Sequence, residues 1–279
     1  MILNPYRYSA AGGTGFLLDD YTGASAGYSL RALSASYQDT DPVIQARKGT
    51  STLASFTASQ VFDGTLETWA AGGDAFVRIW FDQSGNGETA VNTTITDQPQ
   101  IVSSGTLDPK GLSFNGTSQY LDCGFAAGSA TGQSMMVVAQ TSDLAANRIL
   151  VDGRDTNDDG SALFFLGGVD DTMRFSVDLN GTSSGADVFT SALSANTEYL
   201  FSGFFGDGDN TVFLDGTQAD TDPNAPASIS TTATYKIGRA AYTDSAFWQG
   251  SIQEVIIYPD DQSANQAGID GNITTHYGI

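Results

Sequence analysis

Residues 76–87, FVRIWFDQSGNG, set a pattern that recurs along the chain. Phe76, Arg78, Trp80 and Asp82 alternate with Val77, Ile79 and Phe81. That period of two, carried by β-branched and aromatic residues, predicts a strand. The strand runs into Asp82, Gln83, Ser84, Gly85, Asn86 and Gly87, a dense run of turn formers. Similar short apolar runs, separated by Gly, Asp, Asn, Ser and Thr, predict strands over 43–48, 100–103, 111–114, 120–122, 134–140, 148–151, 162–166, 173–179, 199–205, 211–214, 235–238 and 251–258. Their spacing, with no long helical period, predicts an all-β, antiparallel sandwich or jelly roll. Residues 204–214, FFGDGDNTVFL, predict a hairpin with 206–210 at its tip. Two helices are expected. One covers 64–71, capped by Asp63 and stopped by Gly72 and Gly73. The other covers 263–277, with a weak apolar face from Ala264, Ala267, Ile273 and Tyr277 that Gly268 and Gly271 weaken further. No linker or repeat divides the chain, so residues 25–279 are expected to form one domain, preceded by an arm at 1–24 that docks on a partner or on the domain itself.

Composition narrows the chemistry. A chain of 279 residues can bury a core without disulfide or metal support. Its one cysteine, Cys123, has no partner for an internal disulfide and is expected to be a small buried residue. The sole histidine is His276, and no H-E-x-x-H spacing occurs. Lys and Arg number 11 against 32 Asp and Glu, for a net charge of −21. That balance excludes a phosphate-neutralising surface and argues against nucleic acid and anionic membranes as partners. The acidity is nearly all aspartate, which favours turns, solubility in a salty medium and oxygen-rich cation sites. The N-terminus lacks the charged and apolar regions of a secretory signal, and no run of about 18 apolar residues exists. The expectation is a protein that stays where it is made or leaves by a route such as assembly into a virus particle.

Several segments carry a family resemblance. Residues 28–47, YSLRALSASYQDTDPVIQAR, followed by WFDQSGNG at 80–87, resemble the opening of the catalytic sandwich of α-L-arabinofuranosidase B, with its similar Arg-x-Leu-x-x-x-Tyr, Val-x-Arg and Tyr-Asp-Gln-Ser-Gly succession. GLSFNGTSQYLDCG (111–124), NTEYLFSGFFGDGDNTVFLDGTQ (196–218) and YKIGRAAYTDSAFWQGSIQEVIIYP (235–259) resemble strands of a concanavalin A-like, laminin-G-type jelly roll. The resemblance implies that fold for most of 25–279. It does not fix a function, since the sandwich carries lectins, glycosidases and structural modules alike. The arabinofuranosidase family places a nucleophilic Glu in a Gly-rich, Cys-containing segment and an acid Asp later; no matching Glu occurs here. The glutamates are Glu67, Glu88, Glu198 and Glu254, and Glu254 falls where the laminin-G-like pattern often carries a structural acid. A retaining glycosidase needs two carboxyls about 5–5.5 Å apart, one with a raised pKa.

Candidate sites arise from residue type. Asp82, Gln83 and Asn86 could contact sugar hydroxyls beside Trp80, although the strand period makes Trp80 a core residue first. Among Tyr242, Phe247 and Trp248, Tyr242 is the candidate for an exposed ligand contact and Trp248 for packing. Asp155, Asn157, Asp159 and Gly160 match the first half of a calcium loop, D-x-[DN]-x-[DN]-G, but Leu166 stands where the bidentate Glu belongs. Asp207, Asp209 and Asn210 form a weaker version. No cofactor is required, and Ca2+ is the ion these loops would take. The first residues, MILNPYRY, are similar to the starts of phage structural proteins that carry such sandwiches. The leading expectation is therefore a non-enzymatic virion surface protein of a phage, in the head decoration, fibre or tail. It would be present in several copies or as a homo-oligomer, contacting other virion proteins and binding glycans. The alternatives are a glycoside hydrolase related to arabinofuranosidases and a calcium-dependent adhesin module.

Overall fold

The computed structural model describes residues 15–157, 159–167, 170–178, 187–206 and 208–279, so residues 1–14, Asp158 and Asp207 of the expected arm and loops lie outside it. The strands are β1 (Ala26–Ser29), β2 (Ile44–Lys48), β3 (Thr52–Phe56), β4 (Ala75–Trp80), β5 (Ala90–Val91), β6 (Gln100–Ser103), β7 (Thr106–Leu107), β8 (Leu112–Asn115), β9 (Leu121–Ala130), β10 (Gly132–Thr141), β11 (Arg148–Asp152), β12 (Gly160–Leu166), β13 (Thr172–Asp178), β14 (Val188–Phe189), β15 (Tyr199–Gly206), β16 (Asp209–Leu214), β17 (Thr217–Asp222), β18 (Ile229–Ile237) and β19 (Gln249–Tyr258). The helices are α1 (Leu17–Asp20), α2 (Ala58–Phe62), α3 (Thr65–Ala70) and α4 (Gln266–Tyr277).

Pairing is antiparallel throughout the described strands and traces two layers. One runs β17-β16-β15-β10-β19-β1. The other runs β3-β2-β4-β5-β9-β18-β11-β12-β13-β14. Strands β8 and β6 join them at one edge, β8 pairing with β19 and β6 with β4. This is the expected antiparallel sandwich. The expected hairpin is present as β15 and β16, with Gly206 opposite Asp209. Its tip is tighter than expected, because Asp209 and Asn210 already belong to β16.

The run MMVVA at 135–139 explains the layering. Met135, Val137 and Ala139 enter the core between the sheets, with Trp80, Phe201, Trp248 and Val255. Met136 and Val138 face the other way, under Leu17 and Leu18 of α1 and Ile269 and Ile273 of α4. A strand covered on both faces reads as continuous apolar sequence rather than as alternation. Residues 15–24 of the expected arm are thus built onto the domain, with Leu17 fully buried. Gly27 permits that contact: a Cβ there would lie 2.7 Å from Leu18 Cδ1.

Strand β4 departs from strict alternation. Gln45 of β2 opposes Ile79 while Ala46 opposes Val77, so Arg78 is an extra residue on β4. Such a bulge reverses the facing of the residues beyond it. Trp80 therefore sits inward with Ala75 and Val77 rather than sharing a face with Phe76 and Arg78. Its ring lies 5.9 Å from that of Tyr28.

The helix expected over 64–71 is α3, and the one over 263–277 is a 3-10 turn (Ser263–Asn265) followed by α4. Asp63 does accept the Thr65 N–H at 2.9 Å. Helix α2 adds to the expected set. Thr57 Oγ1 accepts the Gln60 N–H at 3.3 Å and Gln60 Oε1 accepts the Thr57 N–H at 3.0 Å, a reciprocal capping box. Thr57→Ala is expected to lower the unfolding free energy by about 1 kcal/mol in urea titration, with an unchanged denaturant slope.

Candidate functional site

The acidic turn after β4 is not an open ligand lip. Asp82 and Gln83 are 3% and 2% exposed. Asp82 Oδ1 accepts the Gly27 and Ser84 N–H groups at 2.9 and 2.8 Å. Its Oδ2 accepts the Ser84 hydroxyl and the Gly87 and Glu88 N–H groups at 2.7, 3.0 and 3.2 Å. Gln83 Oε1 accepts the Leu33 N–H at 2.7 Å, and its amide donates to the Ser29 and Arg31 carbonyls at 2.9 and 3.0 Å. Asn86 is exposed, but its amide donates to the Ala24 and Ser25 carbonyls at 2.8 and 3.0 Å. These three residues, the candidates for sugar contacts, tie residues 24–33 to the end of β4.

Tyr242 remains on the surface, 42% exposed. The guanidinium carbon of Arg154 lies 5.9 Å from its ring centroid. Asp152, fully buried at the end of β11, organises the surroundings. Its Oδ1 accepts Arg154 N and Nε at 3.0 and 2.9 Å, and its Oδ2 accepts Arg154 Nη2 at 3.2 Å and the Ala241 N–H at 3.1 Å. One carboxylate therefore holds both Arg154 and the backbone that presents Tyr242. Ile149, Ala162 and Ala240 form a small apolar cluster with Ala246 packed against it. The loop of Asp155, Asn157 and Asp159 starts at the residue after Arg154. Two candidates that stand apart in the sequence are thus brought to one end of the sandwich. Residue type alone did not single out Asp152 and Arg154; an Asp-x-Arg pair closing a strand in a chain poor in cations was the available signal.

The acidic loop closes on itself. Asp155 Oδ1 accepts the Asn157 and Asp159 N–H groups at 2.8 and 3.1 Å, and the Asp155 N–H donates to the Asp159 carbonyl at 3.0 Å. Among the described residues, no three His, Cys, Asp or Glu side chains gather as a metal cage. In the weaker loop, Asn210 is fully buried and its amide reaches the Phe175 carbonyl at 3.3 Å.

The carboxylates of Glu67, Glu198 and Glu254 have structural partners, and Glu88 takes part through its backbone. Glu67 Oε1 accepts the Leu107 N–H at 2.8 Å, and the Glu88 carbonyl accepts the Tyr28 hydroxyl. Glu254 is fully buried and receives Arg31 Nε and Nη2 at 2.7 and 2.8 Å, the Ser29 hydroxyl at 2.8 Å and the Tyr277 hydroxyl at 2.9 Å. Burial alone would raise its pKa, but the Arg31 charge and hydrogen bonds outweigh burial and hold it below the ordinary value. That ionised, fully engaged group is unsuited to proton donation. Among the described residues, the carboxyls pushed upward are Asp215 and Asp270, chiefly by burial. Asp270 is buried on the inward face of α4, accepting from Ser202 and Gln266 at 2.7 and 2.6 Å. Cys123 is buried, which pushes its thiol up to about 12 and leaves it inert as a nucleophile.

His276 is held neutral: burial first, then the Arg31 charge, lower its pKa to about 4. Between pH 4 and 6.5 the unfolded chain binds a proton at this residue that the folded chain refuses, so the residue's contribution to stability rises with pH. Relative to His276→Gln, the native protein is expected to lose stability as pH falls from 6.5 to 4, by up to about 1.4 kcal/mol per pH unit. Parallel urea titrations at about pH 4.5 and 7 check this. The difference between the two proteins isolates His276 from Asp215 and Asp270, whose raised pKa values act in the opposite sense.

The comparisons agree with this architecture. Residues 115–267, over half of the chain, match the concanavalin A-like lectin/glucanases superfamily, and the chain belongs to that superfamily. No curated protein matches the sequence. A GH54 α-L-arabinofuranosidase soaked with a cyclic sulfate inhibitor is similar over 91% of this chain and 63% of its own, with 16% identity and a TM-score of 0.64. An arabinofuranosidase complexed with arabinofuranosyl-α-1,2-xylobiose is similar over 91% of this chain and 62% of its own, with 15% identity and a TM-score of 0.62. A Trypanosoma rangeli sialidase in complex with 2,3-difluorosialic acid is similar over 71% of this chain and 31% of its own, with 11% identity and a TM-score of 0.50. At these identities the likeness is one of fold, and the chain spans about three-fifths of the length of the arabinofuranosidases. The fold is thus a concanavalin A-like lectin/glucanase sandwich with carbohydrate-active structural neighbours.

Proposed function

We propose that this chain is a non-enzymatic, lectin-like sandwich that binds glycans at the end carrying Tyr242. The observation that carries this reading is the presentation of Tyr242, an exposed ring whose backbone is pinned by the buried Asp152 and flanked by Arg154. A fixed aromatic face with a few placed polar groups beside it suits a sugar, whose ring is apolar on its C–H faces and polar at its rim. The buried carboxylate at this end, Asp152, is ion-paired to Arg154 at 2.9 Å. That supports binding over hydrolysis, although the fold resembles arabinofuranosidases.

The finer placement is a virion surface protein of a phage, in several copies and in contact with other virion proteins. It rests on the similarity of MILNPYRY to the starts of phage structural proteins. The net charge of −21 supports partners other than nucleic acid.

On an immobilised glycan panel, Tyr242→Ala is expected to weaken the strongest binding by about tenfold, equivalent to about 1.4 kcal/mol, with an unchanged melting temperature. Unchanged binding would refute the site. Binding lost with EDTA and restored by Ca2+ would move the reading to a calcium-dependent adhesin using Asp155, Asn157 and Asp159. Quantitative mass spectrometry of purified particles tests the placement: a fixed copy number supports it, and absence removes it while leaving glycan binding intact.

A further inference from the structure

A cleft lies where α4 ends, and its lining shares no residue with the Tyr242 end. Its volume is about 180 Å³, and its walls include Phe62, Pro109, Lys110, Glu198, Gln253 and His276. We infer that this cleft is a separate binding site for a single neutral sugar ring or cyclic polyol, one that does not depend on the Tyr242 end.

Three observations carry the assignment. First, acceptors and donors converge there with capacity to spare. Glu198 Oε2 receives both Lys110 Nζ, at 3.1 Å, and Gln253 Nε2. Glu198 Oε1 and Gln253 Oε1 accept no hydrogen bond among the described residues, although the Glu198 side chain is only 8% exposed and Gln253 only 7%. Both oxygens stay open to the cleft rather than sealed in the protein, and such an acceptor pair suits a hydroxyl-bearing occupant or water held in its place. Lys110 Nζ, with one bond to Glu198, has further N–H groups to donate.

Second, the charges at the cleft balance. Lys110 pairs with Glu198, Arg31 pairs with the buried Glu254 behind the wall, and His276 is neutral. A net-neutral set of alternating acceptors and donors matches vicinal hydroxyls better than it matches a phosphate or a carboxylate. Third, Phe62 and Pro109 supply an apolar wall for C–H groups, and the volume falls below the roughly 300 Å³ at which pockets for drug-sized ligands begin. One ring fits that size and an oligosaccharide does not, except through its terminal unit.

The test is a titration of the full chain with arabinose, xylose, galactose, glucose and myo-inositol, read by ligand-observed NMR with melting temperature as the folding control. At least one is expected to bind in the millimolar range. Glu198→Gln is expected to weaken that binding at least fivefold. Lys110→Ala, at a position with a half-exposed side chain, is expected to do the same and covers the case in which the buried Glu198 variant fails to fold. Tyr242→Ala is expected to leave it unchanged. No binding of any of the five compounds, binding indifferent to both Glu198→Gln and Lys110→Ala, or binding lost with Tyr242→Ala would each overturn the assignment. Because the panel binding depends on Tyr242 and this titration does not, failure of one leaves the other standing.

Discussion

Arg31→Met is expected to lower the unfolding free energy by about 3–5 kcal/mol, because it leaves a fully buried carboxylate without its cation. Glu254 would keep only the hydroxyls of Ser29 and Tyr277. The pair also joins distant parts of the chain: Arg31 follows β1, Glu254 lies in β19, and Arg31 Nη1 donates to Asn272 of α4 at 2.8 Å. The double variant Arg31→Met, Glu254→Met is expected to recover most of the loss, since replacing both partners of a buried ion pair by apolar groups is often neutral. Urea unfolding of the two variants checks this. A loss below about 1 kcal/mol in the single variant would mean that water reaches Glu254 and that the pair is not the internal clamp described. Glu254 also adds a pH signature. Its folded pKa lies below the unfolded value, so its contribution is present above the unfolded pKa, about 4.3, and is lost as pH falls through the folded value.

Asp82→Ala is expected to cost about 3 kcal/mol or more. The substitution removes the acceptor for five donors, of which the Gly27 N–H is buried and cannot turn to solvent. An orphaned buried donor costs about 1–3 kcal/mol, and the loop from Ser84 to Glu88 loses its internal anchor as well. The decisive part is the second readout. Glycan binding per folded molecule is expected to remain native, because Asp82 serves the loop and not the ligand. A variant that stays as stable as the native protein but loses glycan binding would return Asp82 to the role of a sugar contact.

Strands are legible in the sequence wherever burial imposes a pattern. The apolar runs at 134–140 and 199–205 mark long strands packed on the core, and both lie within two residues of the observed strands at either end. The two-residue strands β5, β7 and β14 carry no period to read. Helix α2 carries its signal, Thr57 to Gln60, but is too short for an apolar stripe. The bulge at Arg78 is hidden because an extra residue shows only against the paired strand. The site is less legible for a related reason. Turn chemistry identifies Asp82 and Gln83 as structured, but their partners lie 50 to 55 residues upstream. Arg31 and Glu254 are 223 residues apart, so only the fold pairs them. Tyr242 and the loop at Asp155 are each visible as residue types, whereas Asp152, which brings them together, is one aspartate in a chain full of them.

One incubation decides whether this sandwich holds glycans or cuts them. The strongest ligand from the glycan panel, and an aryl arabinofuranoside beside it, are kept with excess protein, and bound ligand and released sugar are measured in the same tubes. The expected result is saturable binding of the panel ligand that falls about tenfold with Tyr242→Ala, with no sugar released from either compound above the buffer control. Release that scales with protein and disappears on substitution of a single Asp or Glu would contradict it and make the protein a glycoside hydrolase.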